Sequence, residues 1–233
     1  MQTATDDRTA AGRAGRKDRV SVSLPGGELA TPAELAQLLL DPLYYGVGVP
    51  RGNGAPVLTL PGFLGNDLYL SPLRGWLRRV GYQPYESTLL INAGDLNLLT
   101  WRLTARTARI AADHGCKVTI VGHSLGGLLA RAIASARPDL VAQVVALGSP
   151  LAAGMPGLTA PLPADVPFTS IYTRGDGVVQ WRHCLDRVAA NNIEVGGSHC
   201  GLVFNREVYR RLGRLLALQP LAPLQSQPAH GPG

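Results

Sequence analysis

The chain has 233 residues, 45% of them hydrophobic and 16% charged, which is enough length and apolar material for one domain with a full core. That balance excludes a mostly disordered chain and a coiled coil, while 28 Gly and 18 Pro predict many turns. The formal charge of +6 is carried by arginines at helical spacing (Arg74, Arg78, Arg79; Arg102, Arg106, Arg109; Arg206, Arg210, Arg211, Arg214). No basic run is interleaved with aromatics, so solvated outward helix faces are expected and a nucleic-acid partner is not.

Residues 1–19 mix charge with Ala, Gly and Thr without an apolar period and read as a mobile arm. They lack the apolar segment of a secretory signal, which makes a cytoplasmic location the default expectation. No apolar run approaches the roughly 20 residues of a membrane helix. Next, "TPAELAQLLL" has capping-box spacing, with Thr31 as N-cap, Pro32 at the first helical position and Glu34 three residues after the cap; the helix should stop before Pro42. "APVLTLPG" (55–62) reads as a buried strand feeding a loop, "DLYLSPLRGWLRRVG" as a helix and "YQPYES" as a poor strand.

Helical spacing from Leu96 to His114 closes on Gly115. "KVTIVG" is a strand, and "SLGGLLARAIASAR" is a helix ended by Pro138. "AQVVALGSP", "FTSIYTRGDG" and "NNIEVGGSH" are three further strands with loops at their carboxyl ends. Asn205 caps a last helix with Val208, Leu212, Leu215 and Leu216 on one side. The Pro- and Gly-rich stretch 220–233 reads as a disordered tail, leaving 20–219 as a single domain. Short, continuously apolar strands alternating with helices predict an α/β fold: a mostly parallel sheet of about six strands, covered by helices on both faces. Functional groups of such sheets gather at the carboxyl ends of the strands.

At one such end stands Gly122-His123-Ser124-Leu125-Gly126, a G-x-S-x-G run directly after a strand and before a helix. There the motif makes a nucleophile elbow: the glycines remove side chains that would collide in the turn, and Ser124 is held with its hydroxyl exposed. The spacings of phosphate-binding loops, G-x-x-x-x-G-K-[ST] and G-x-G-x-x-G, are absent. A serine needs a base and an orienting carboxylate, expected downstream in the order acid, then histidine. Asp176 in "IYTRGDGVV" and His199 in "EVGGSHCGL" follow the last two strands in that order. The rivals are less well placed: Asp165 precedes its strand, Asp186 is expected on a helix, His183 near the surface, His114 at a remote helix end and His230 in the tail. An oxyanion hole is expected from the N–H of Leu125 and from the "LPGFLGND" loop, through Phe63 N–H, with Leu64 as the fallback. Phe63, Leu64, Leu68, Met155, Leu158, Val178, Val179 and Leu202 fall in loops near this mouth. They suit an acyl-binding wall and ordinary packing alike.

With those pieces in order, the chain resembles the α/β-hydrolase superfamily, and within it the small bacterial lipases and serine esterases. The segments that carry the resemblance are "PVLTLPGFLGND", "VTIVGHSLGGLLAR", "VVALGSP", "IYTRGDGVV" and "GSHCGLVFN", spread over residues 55–217. The resemblance implies Ser124 as nucleophile, His199 as base, Asp176 as its orienting acid, and Phe63 and Leu125 as oxyanion donors. It implies hydrolysis of small-molecule, lipid or polyester esters with an apolar acyl part, without cofactor or metal. Thioester hydrolysis or acyl transfer by the same triad, and a non-catalytic binding protein on this fold, are the alternative readings. The chain departs from the pattern at Pro61-Gly62, where many lipases carry His-Gly. Between "VVALGSP" and "FTSIY" it has room for a flap but not for a cap domain. The three cysteines lack zinc spacing. A Cys184–Cys200 disulfide, if formed, would point to a secreted or periplasmic location.

Overall fold

Runs of Val, Ile, Leu and Thr form six strands: β1 (Pro56–Leu60), β2 (Gln83–Tyr85), β3 (Val118–His123), β4 (Val141–Leu147), β5 (Phe168–Thr173) and β6 (Asn192–Val195). They are joined by helices α1 (Thr31–Leu40), α2 (Ser71–Val80), α3 (Leu96–His114), α4 (Leu125–Ala136) and α5 (Arg206–Ala217). This computed structural model describes residues 26–152, 158, 160–186 and 192–224. The sheet order is β2-β1-β3-β4-β5-β6, and every pairing is parallel. All residues of β1 and β3 are buried, because helices cover both faces of the sheet; this is why these strands read as continuous apolar runs. Pro84, which has no N–H for a ladder, lies in edge strand β2.

Side-chain alternation divides the core into two layers. Val57, Val121, Val145 and Ile171 face α1, α2 and α5, while Leu58, Ile120 and Val144 face α3 and α4. Trp76 of α2 anchors the first layer. It is fully buried, its indole N–H donates to the Leu43 carbonyl at 3.1 Å, and its ring lies 4.9 Å from that of Tyr209 on α5. Gly115 stops α3 at φ +64°, and Asn205 caps α5 by accepting from the Glu207 and Val208 N–H groups, both as expected. Among the described residues, no helix is long and apolar enough to cross a membrane.

Four local expectations differ. The residue before α1 is Ala30, with no side-chain cap, and Glu34 reaches a distant loop rather than its own helix end. Arg74 is buried instead of solvated: it donates to the Asp67 carbonyl at 2.7 Å and to the Glu86 carboxylate at 3.0 Å, partners that only the folded chain brings to it. Asp186 is not on a helix; it follows the 3-10 turn Trp181–Cys184 and pairs with Arg131 of α4. The tail expected from residue 220 is fastened at its start, where Lys117 N–H donates to the Ala222 carbonyl and Leu224 N–H to the Gly115 carbonyl. The expected arm at 1–19 lies outside the described residues.

Truncating Trp76 to Ala removes the anchor of one core layer and leaves the Leu43 carbonyl without its donor. Trp76→Ala is expected to cost about 3–5 kcal/mol in urea unfolding, and a loss below about 1 kcal/mol would contradict the packing described here.

Candidate active site

Strand order reverses between β1 and β3: the chain leaves β1 for β2 on one side, then crosses to β3 on the other. In open parallel sheets this is where a crevice forms beyond the carboxyl ends. The loop after β1 and the turn after β3 meet there.

Ser124 stands between β3 and α4 with φ +52° and ψ −120°, a backbone state that side chains rarely adopt. Its N–H donates to the Leu147 carbonyl at 2.8 Å, which ties the turn to β4. A methyl group at Gly122 would overlap the backbone of Gly126, and one at Gly126 would overlap the Leu60 carbonyl. The two glycines are therefore required by the contact of α4 with β3 and β1. Gly62 brings the loop after β1 to the same place: a Cβ there would lie 3.1 Å from both Ser124 Cβ and His123 Nδ1.

That loop is held by a residue the sequence did not single out. Asn92, fully buried, donates from its side-chain amide to the Pro61 carbonyl at 2.7 Å and from its N–H to the Gly65 carbonyl at 2.9 Å. Its own carbonyl accepts the Leu64 N–H at 3.0 Å. The fallback oxyanion donor Leu64 is thus committed elsewhere. Phe63 N–H has no hydrogen-bond partner among the described residues, and Leu125 N–H stands at the first position of α4, where an amide has no preceding turn to donate to. No periodicity or motif marks Asn92, because its partners lie about a strand and a helix away in sequence.

Asp176 follows β5 and His199 follows β6. Asp176 Oδ1 accepts the Val178 and Val179 N–H groups at 2.9 and 2.6 Å, which turns Oδ2 toward His199 Nδ1 at 2.7 Å. Both side chains are nearly sealed from solvent, at 0% and 4% exposure. An ionised carboxylate only accepts, so Nδ1 carries the proton and Nε2 presents its lone pair. His123, inside the elbow motif, donates from Nε2 to the His199 carbonyl at 3.0 Å, and its ring lies 4.8 Å from the His199 ring. Its Nδ1 is buried without a partner. Burial, with the neighbouring His199, pushes the His123 imidazole down to about 3, so it is neutral.

The rival residues are occupied or remote. His114 hydrogen-bonds the Tyr85 hydroxyl at 2.6 Å, Asp165 is exposed before β5, and His230 lies outside the described residues. His183 is partly exposed, near the surface as expected, while its Nδ1 is buried without a partner among the described residues. Of the expected apolar mouth, Phe63, Leu64 and Leu68 are exposed at 64%, 65% and 76%, joined by Leu90 and Ile91 from the loop that Asn92 anchors. Leu158, Val179 and Leu202 are instead core residues, and Val178 packs against the Val179–Cys184 cluster. Leu202 turns inward because residues 200–204 form a 3-10 turn over the sheet. Met155 lies outside the described residues.

The disulfide does not form: Cys184 and Cys200 are both free. Cys184 packs beside Tyr172 and Val179, where burial pushes its thiol well up. Cys200 points elsewhere, and burial with a hydrogen bond to Glu28 pushes its thiol up to about 11.

The neutral His123 gives a pH prediction. Its folded value lies below the ordinary 6.5, so as pH falls from about 6.5 toward 3 the unfolded chain takes up a proton that the folded chain refuses. Stability is lost over that window by up to about 1.4 kcal/mol per pH unit. In His123→Gln this part of the slope should vanish between pH 6 and 4; unfolding curves with an unchanged slope would contradict it.

A family model described as alpha/beta hydrolase fold matches residues 115–188, which span β3, the elbow, α4, β4, β5 and Asp176. Among solved structures, the chain is similar to lipase B of Aspergillus fumigatus, at 18% identity and a TM-score of 0.59, covering 77% of this chain and 56% of that one. This chain thus spans little more than half of the fungal lipase. It is also similar to a YdeN-like hydrolase from Pectobacterium atrosepticum (16% identity, TM-score 0.55, 82% of this chain and 99% of that one). A third similar structure is a monoacylglycerol lipase from Paleococcus ferrophilus (15% identity, TM-score 0.54, 73% and 96%). At these identities the likeness is one of fold, and it agrees with the parallel strand order and the elbow after β3: the chain has the α/β-hydrolase fold.

Proposed function

We propose that this protein is a serine carboxylic-ester hydrolase of the esterase or lipase type. The observation that carries the proposal is the 2.7 Å contact between two sealed side chains, Asp176 and His199, on the sheet whose β3 ends in a strained, partly exposed Ser124. A buried imidazole with Nδ1–H fixed on a carboxylate is poised to take a proton at Nε2.

In this mechanism Ser124 Oγ attacks the acyl carbonyl while His199 Nε2 takes the hydroxyl proton. Phe63 N–H and Leu125 N–H hold the oxyanion, and the start of α4 adds its positive end. As the tetrahedral intermediate collapses, the C–O bond to the alcohol breaks and His199 returns the proton to the departing oxygen. Water, deprotonated by His199, then attacks the acyl-Ser124 ester and releases the acid. Asp176 stabilises the imidazolium in both halves.

An apolar acyl part fits the exposed Phe63, Leu64, Leu68, Leu90 and Ile91 beside the oxyanion loop. The described residues between β4 and β5 include no helix, which supports an open mouth that admits bulky esters.

Ser124→Ala is expected to lower hydrolysis of p-nitrophenyl esters by about 10⁴-fold or more and to abolish labelling by a fluorophosphonate probe. Unchanged turnover in the purified variant would end the assignment. Release from acyl-thioesters at a higher kcat/KM than from matched esters would reassign the substrate while keeping the triad.

A further inference from the structure

The loops that carry Asp176 and His199 share a partner from the start of the described chain. We propose that Glu28 is a positioning residue that sets the His199–Asp176 pair, with Glu34 fixing the same loop from α1; this rests on the triad proposed above.

Glu28 lies in the 3-10 turn Gly26–Ala30, just before α1. Its Oε1 accepts the His199 N–H at 2.9 Å and the Gly177 N–H at 3.4 Å, and its Oε2 accepts the Cys200 N–H at 2.9 Å. One carboxylate therefore links the residue after Asp176 to His199 itself and to the residue after it. Burial alone would raise the Glu28 carboxyl, but the amides of Cys200, His199 and Gly177, with the Cys200 thiol, hold it below its ordinary value. It is therefore charged at neutral pH, and hydrogen bonds to a charged acceptor are stronger than those between neutral groups.

Glu34 grips the preceding residue. Its Oε1 accepts the Ser198 N–H at 2.9 Å, its Oε2 accepts the Ser198 hydroxyl at 2.6 Å, and Ser198 Oγ in turn accepts the Gly201 N–H at 3.0 Å. The glycines of "VGGSHCG" admit this carboxylate: a methyl at Gly201 would overlap it, and one at Gly197 would lie 2.6 Å from Glu34 Oε1. From the other side, the Tyr69 hydroxyl donates to the Cys200 carbonyl and His123 Nε2 to the His199 carbonyl. The peptide groups on both sides of the His199 side chain are thus held by charged or buried partners. Those partners come from α1, from the turn before it, from the segment preceding α2 and from the elbow.

A histidine whose own backbone is fixed in this way points its imidazole at Asp176 without having to search for it. A misplacement of about 1 Å in such a group typically costs about 10²-fold in rate. Glu28 makes no contact with the reacting atoms in this scheme; it acts through His199 and Asp176.

The test uses the full chain. Folded Glu28→Ala should lower kcat on a p-nitrophenyl ester by about 10²-fold, with KM within about twofold. The isosteric Glu28→Gln, which keeps one acceptor oxygen, should recover part of the loss. Independently of substrate, the proton on His199 Nδ1 should give a far-downfield resonance in the parent, absent in His199→Ala, which broadens or disappears in Glu28→Ala. Glu28→Gln decides alone if the Ala variant does not fold: a lower kcat at unchanged KM supports the positioning role. An unchanged resonance, or kcat within twofold of the parent, overturns it. If neither the parent nor Ser124→Ala turns over ester, the hydrolase reading fails, and the resonance still judges Glu28.

Discussion

The close approach of α4 to β1 and β3 is the contact from which the site is built. Gly126 lies against the Leu60 carbonyl and Gly122 against the backbone of Gly126, at distances that no side chain can share. The turn between them closes with Ser124 at φ +52°, a state that persists only where surrounding packing over-determines it. Leu128, Leu129 and Ile133 of α4, all fully buried against the sheet, supply that packing. Since β1 neighbours β3, the same approach sets Gly62 beside Ser124, and with it the loop that offers Phe63 N–H. One steric condition thereby places both the proposed nucleophile and its oxyanion donor.

The other half of the site is held differently. The loops after β5 and β6 have few large apolar side chains, and their geometry comes from hydrogen bonds. Thr173 Oγ1 donates to the Gly197 carbonyl at 2.8 Å, Asp176 Oδ1 gathers two amides, and Glu28 joins the two loops. Asn92 does for the loop after β1 what Glu28 does for the His199 loop, using three backbone-directed hydrogen bonds. Buried polar groups placed in this way favour one loop conformation, because another would leave the groups they bind desolvated and unpaired. His123 connects the two halves: it sits in the elbow and binds the His199 carbonyl, and its burial keeps it neutral and suited to donate from Nε2.

Much of this arrangement is legible in the linear chain, where the signal is local. Apolar runs of strand length, the Gly115 stop and the Asn205 cap depend on neighbours within a few residues, and the structure agrees with each. Local patterns mislead where a distant partner competes. The Thr31–Glu34 spacing suits a capping box, yet Glu34 meets the Ser198 amide and hydroxyl, two donors that outbid a single one at its own helix end. Arg74 fits a solvated stripe by spacing but is buried where Asp67 and Glu86 converge. Leu202 and Val179 lie in loop-like stretches close to Asp176 and His199, yet both point into the core, since a 3-10 turn or a tight loop can bury a side chain at any position.

The sequence by itself determined the order of strands and helices and the elbow at Ser124. It also placed Asp176 and His199 at strand ends, because backbone periodicity and glycine sterics act over short distances. Only the tertiary structure decided that Asp176 Oδ2 meets His199 Nδ1, that Leu64 N–H is spent on Asn92, and that Glu28 and Glu34 hold the histidine loop. It also decided that Cys184 and Cys200 stay apart. These are contacts between groups 23 to 171 residues apart, which hydrogen-bond and charge chemistry permits in many combinations. The packing of the sheet against its helices selects one of them.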